Sequence, residues 1–213
     1  MSSYTTQHAK ERAMTSAQDV LNYWFGELDE HGGFDGSRYG VWFTGGPAVD
    51  AEITARFGAA LEEAAAGGLT AWEATPRGKL ALIILCDQMS RNVWRGSARA
   101  FSLDGRAYAL AQGMIAAGED TQLHLIERSF VYLPLEHHEG MEAQDQVVAL
   151  FEGMVGLAPE AQRELFESLR GYAVSHRDII AQFGRYPHRN EVLGRETTAA
   201  EAAFLEHGPR FGQ

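Results

Sequence analysis

The stretch Leu80-Ala81-Leu82-Ile83-Ile84-Leu85-Cys86-Asp87-Gln88-Met89-Ser90-Arg91-Asn92 decides the fold class. Its first seven residues are apolar on nearly all sides. By length alone such a run fits a buried strand as well as a buried helix. Its flanks choose between them. Thr75-Pro76 upstream supplies a helix start, and the polar residues from Asp87 to Asn92 continue at helical intervals. The run therefore reads as a central buried helix. No other segment shows sustained two-residue alternation, and no Asn-Gly or Asp-Gly pair joins two apolar runs. The chain reads as all-α.

Working outward, the sequence predicts about eight helices. Ser16 is placed as the N-cap of the first, with Asp19 in its opening turn and Val20, Leu21, Trp24 and Phe25 on its apolar face. Residues 29–46 read as a long glycine-rich loop pinned by Trp42-Phe43. Pro47 opens a second helix, on which Val49, Ile53, Phe57 and Leu61 recur every fourth residue until Gly67-Gly68. After the central helix come one at about 104–117 and one from about Asp120 that stops at Pro134. Two more follow, at about Gly140–Met154 and from Pro159 to Phe183. Thr198-Ala199-Ala200-Glu201 is a capping box for a short last helix. Helices of this length joined by short loops make a compact antiparallel array.

The chain has 213 residues, of which 45% are hydrophobic. That supports one all-helical domain over 16–213 behind a flexible polar lead at 1–15. A net charge of -11 excludes a general nucleic-acid surface. The single cysteine, Cys86, fits a reducing compartment and reads as an inert core thiol. Met1–Arg12 lacks the apolar stretch of a secretory leader, and the longest apolar run is too short to cross a membrane. The expectation is a soluble cytoplasmic protein of open oligomeric state.

Three polar clusters carry possible chemistry. The first is Asp87, Gln88, Arg91, Asn92 and Arg95, at the end of the central helix. Asp87 and Arg91 are one turn apart and can pair, either as a surface ion pair or as a partly buried network. The second is Glu127-Arg128, Tyr132, Glu136-His137-His138-Glu139 and Gln144. Neither a zinc HExxH motif nor a di-iron Glu-x-x-His motif is present, and adjacent side chains on a helix diverge, so no metal is expected. The third joins His176 to Phe183-Gly184-Arg185-Tyr186-Pro187-His188-Arg189-Asn190. His176 reads first as a hydrogen-bonded core residue. Gly184 and Pro187 suit a helix exit. Arg185, His188 and Arg189 exceed what an exit needs: they either cap helix ends or line an anion pocket.

Several of these segments together resemble the bacterial domain of unknown function 924 family. They are Trp42-Phe43, the run from Leu80 to Gly96, Ala100-Phe101-Ser102-Leu103-Asp104, the run from Phe130 to His137, the octapeptide from Phe183, and Leu193-Gly194-Arg195 with Thr198 and Glu201. The resemblance spans about Val20 to Phe211. It implies a tetratricopeptide-like right-handed helical superhelix and no particular reaction. The chain departs from the family pattern at Met89-Ser90, where Phe-Pro is usual, and at His138, where serine is usual.

The functional expectation is a polar pocket for a small anionic ligand, lined by Asp87, Gln88, Arg91, Asn92, Arg95, His137, His176, Arg185, His188 and Arg189. His137, His188 and Asp87 are the candidates for acid–base chemistry. No cofactor is expected. The alternative is a tetratricopeptide-like scaffold that binds a peptide or protein, its polar clusters being structural.

Overall fold

A computed structural model describes residues 15–209. The polar lead expected over 1–15 lies outside them, except for Thr15. Every regular element among the described residues is helical, as the sequence requires. Ser16 caps α1 (Ala17–Phe25): its hydroxyl accepts from the Asp19 N–H, and the Asp19 carboxylate accepts from the Ser16 N–H. Helix α2 (Pro47–Ala65) starts on Pro47. Thr75 caps α3 (Pro76–Ile83), accepting from the Gly78 N–H at 3.1 Å.

The central stretch is a helix, but not a uniform one. Ile84–Met89 is a π-helical turn, after which the chain resumes as α4 (Ser90–Val93). Ser90 N–H reaches the Leu85 carbonyl, five residues back. Arg91 explains part of this widening. Its guanidinium donates to the Asp87 carbonyl, a group that a regular α-helix keeps for its own ladder. Counted as one interrupted helix, this segment makes the number of α-helices among the described residues eight. The others are α5 (Asp104–Ala117), α6 (Leu125–Glu136), α7 (Met141–Leu157), α8 (Arg163–Phe183) and α9 (Ala199–Leu205).

Three boundaries differ from the sequence expectation. Glu119–Gln122 forms a separate 3-10 turn, and α6 begins at Leu125, where Glu127 closes a box onto the His124 N–H. At its far end α6 passes through Pro134. The proline removes one donor, but the ladder resumes at once, His137 N–H reaching the Leu133 carbonyl at 2.9 Å. The end is then clamped from outside. Gln144 on α7 donates to the carbonyls of Glu136 and His138 at 2.8 and 2.7 Å, and the Tyr186 hydroxyl also donates to Glu136. These side chains satisfy carbonyls that a helix end leaves orphaned. Likewise α8 starts at Arg163 rather than Pro159, after a 3-10 turn at Glu160–Gln162.

The buried run from Leu80 to Cys86 is the axis of the core. Helices α1, α5 and α6 pack on α3, and α2 packs on α4. Helix α7 lies between α6 and α8. Entry to the axis is tight: a Cβ on Gly78 would stand 2.0 Å from the Trp72 carbonyl oxygen, a backbone atom that cannot swing aside. Gly78→Ala is therefore expected to cost about 1–3 kcal/mol, as overpacking does, which urea unfolding would measure. Gly184 ends α8 in the left-handed conformation at φ 69° and turns the chain toward Pro187–Arg189.

Candidate functional site

The end of the central helix, the clamped end of α6, the middle of α8 and the turn Pro187–Arg189 meet around a cavity of about 310 Å³. Residues 41–45 and Trp24 close another side. Of the ten residues expected from sequence, Gln88, Arg91, Asn92, Arg95, His137, His176, His188 and Arg189 line this space. Asp87 stands directly behind it, fully buried. Arg185 is elsewhere. It grips Glu201 at 2.6 and 2.9 Å and the Glu196 carbonyl, and so ties α9 to the exit of α8. These bonds hold the fold together, though they are not the cap on a helix carboxyl end that the sequence suggested.

Asp87 organises the inner wall. Its two carboxylate oxygens lie 2.8 and 3.0 Å from His137 Nδ1, and Gln88 donates to it at 2.5 Å. Burial works to raise the Asp87 pKa. The charges of His137 and Arg91 outweigh it and hold the carboxyl well below its usual range. An ionised carboxylate only accepts, so Nδ1 of His137 carries the hydrogen and Nε2 is the nitrogen left for a ligand. Burial lowers the pKa of His137, against the pull of Asp87. A carboxylate-oriented imidazole of this kind is suited to take a proton.

His137 and His138 do diverge. His138 stacks on Tyr108 with ring centroids 4.3 Å apart, whereas His137 meets Asp87.

The arginines are held by carboxylates from distant helices. Arg91 forks onto Asp104 with both contacts at 3.1 Å. Arg95 and Asn92 converge on Asp50 of α2, Arg95 at 2.7 and 3.0 Å and Asn92 at 2.7 Å. Arg189 donates to the His137 carbonyl at 3.0 Å, and its guanidinium lies over the Phe101 and Tyr186 rings at 4.8 and 4.5 Å. It is only 7% exposed, and its Nε has no hydrogen-bond partner. Burial, reinforced by the charge of Arg91, brings its pKa down to about 10.

His176 and Glu136 form a neutral pair. His176 Nδ1 donates to the Tyr172 carbonyl at 2.9 Å and lies 3.2 Å from Glu136 Oε1. Burial lowers His176 to about 3 and raises Glu136 to about 8, helped by the neighbouring charge of Asp87. Burial and Arg189 likewise bring His188 to about 3. Near neutral pH the cavity thus presents neutral His176 and His188 and a protonated Glu136. Glu136 Oε2 is buried with no hydrogen-bond partner.

Sequence reasoning put Glu136 in the second polar cluster but not among the pocket residues, and it missed the apolar wall. Leu133 and Tyr172 each sit one turn before a site histidine, a spacing that places them on the same face. Trp42 and Phe43, read as loop anchors, face the cavity. A second cavity, of about 760 Å³, is bordered by Glu27, Asp29 and Asp35 and by no cationic side chain, so it offers nothing to an anion.

Fold and cavity define an all-helical protein with a half-enclosed polar-and-aromatic site. The chain belongs to the family described as bacterial protein of unknown function (DUF924), which matches residues 20–209. It is similar to the protein of unknown function ATU0120 from Agrobacterium tumefaciens, at 33% identity and a TM-score of 0.73, over 90% of this chain and 97% of that one. No curated protein matches the chain. Among the described residues no helix is long and apolar enough to cross a membrane.

Proposed function

We propose that the cavity binds a small organic anion, in a tetratricopeptide-like protein of the bacterial cytoplasm. The observation that carries this reading is Arg189. Its guanidinium lies beside a second one, that of Arg91, in a cavity that His137 and His188 also line. A guanidinium fork suits a carboxylate or phosphate, and Arg189 and Arg91 both line the cavity. The volume lies near the lower end of the range for small-molecule sites, roughly 300–1,000 Å³. Asp87–His137 supports an acid–base role toward whatever is bound.

Thermal-shift titration with small carboxylates tests the proposal, using wild type and Arg189→Lys. The lysine keeps the charge and loses the fork. Anions are expected to raise the wild-type Tm, and the variant to bind about tenfold more weakly, as loss of a charged hydrogen bond implies. Equal shifts in the two proteins would count against the reading.

A further inference from the structure

The cavity is polarised along its length. Helices α6, α7 and α8 are joined by short connections and packed in sequence, so α6 and α8 run in the same direction. On α6 Leu133 comes one turn before His137. On α8 Leu169 and Tyr172 come before His176. Both helices therefore pass from an apolar to a polar lining in the same sense.

The apolar end is completed by Trp24, Trp42 and Phe43. The Trp42 ring is held edge-on to its neighbours: its indole N–H donates to the Trp24 carbonyl at 2.8 Å, and it packs against Phe25 and Phe130. Phe43 and Tyr172, each 53% exposed, are large rings left in water at this cavity. A bound apolar group would recover that exposed area.

The charges at the polar end are balanced. Arg91, Arg95 and Arg189 face Asp50, Asp87 and Asp104, and His176 and His188 are neutral. The site can therefore take one extra negative charge, shared between the Arg189 fork and a proton drawn onto His137. A phosphate dianion or a dicarboxylate would leave a second charge uncompensated in a half-enclosed space.

We infer that the ligand is an organic monocarboxylate, with its carboxylate at Arg91 and Arg189 and a single ring or branched chain against the wall of Trp42, Phe43, Leu133 and Tyr172. This rests on the anion reading above and narrows it.

The test is isothermal titration of wild type, Phe43→Ala and Tyr172→Ala with phenylacetate, 4-methylpentanoate, acetate, inorganic phosphate and 2-phenylethanol. Phenylacetate or 4-methylpentanoate is expected to bind at least about tenfold more tightly than acetate or phosphate, from burial of its apolar part. Each exposed-ring variant is expected to lose several-fold of that gain. Acetate or phosphate binding as tightly as the larger acids would overturn the inference and leave the anion reading standing. Equal binding of 2-phenylethanol and phenylacetate would overturn both. Failure of both larger acids to bind, or their unchanged binding to both variants, would overturn the inference.

Discussion

Replacing Asp87 by alanine is expected to lower the free energy of unfolding by about 3–5 kcal/mol, the usual cost of removing one partner from a buried charge pair. The residue has no solvent exposure, so water cannot take its place. Its loss leaves Arg91 with Asp104 as its only carboxylate partner, strands the Nδ1–H of His137 and removes the acceptor of Gln88. Asp87→Asn should fall between, because its amide oxygen still accepts from His137 while the charge is gone. Asp50→Ala is the control. That carboxylate also holds two polar side chains, but its partner Arg95 is 39% exposed, and the cost is expected to stay near or below about 1 kcal/mol. Urea unfolding of the three variants separates the cases. A 15N spectrum of His137 adds a local readout, since only wild type and Asp87→Asn should keep the hydrogen on Nδ1. If Asp87→Ala were no more destabilised than Asp50→Ala, Asp87 would not be the organising charge of the site.

The parts of this arrangement that could be read from sequence are those set by neighbours along the chain. Caps at Ser16, Thr75 and Thr198, the exit at Gly184 and the helical periodicity of the core depend on residues within a turn or two of one another. The π turn at Ile84–Met89 was not legible, because it answers to a side chain reaching back onto the helix and to packing on every face. Nor was the passage of α6 through Pro134. Local rules stop a helix there, and what carries it on comes from Gln144 and Tyr186, 10 and 52 residues away in sequence. The site shows the same division. Arginine and histidine types pointed to its polar lining, whereas the counter-charges Asp50 and Asp104 and the aromatic wall come from other helices and loops. Arg185 shows the limit from the other side: its chemistry suited an anion, and the fold gives that anion as Glu201.

Stability should peak near pH 6.5 and fall on both sides, for opposite reasons. Glu136 has its folded pKa raised from 4.5 to about 8, first by burial and then by Asp87. The native state therefore holds a proton that the unfolded state has released, and the stabilisation is lost as pH rises toward 8. His176 and His188 are depressed from 6.5 to about 3, mainly by burial. The unfolded state binds their protons first, so their contribution is present above pH 6.5 and is lost as pH falls. Between pH 4.5 and 6.5 the two imidazoles outweigh the single carboxyl, and stability should rise with pH by about 3 kcal/mol. Between 6.5 and 8 only Glu136 among these three still titrates differently in the two states, giving a decline of about 2 kcal/mol. Glu136→Gln keeps the shape and an acceptor for His176 but cannot ionise. Its stability should be nearly flat from pH 6.5 to 8, while its acid limb becomes steeper because the opposing carboxyl is gone. Urea midpoints at half-unit steps from pH 4.5 to 8.5, for wild type and this variant, decide the matter. A decline above pH 6.5 that survives in Glu136→Gln would mean that another group carries it, and that Glu136 is not the protonated acid of the cavity.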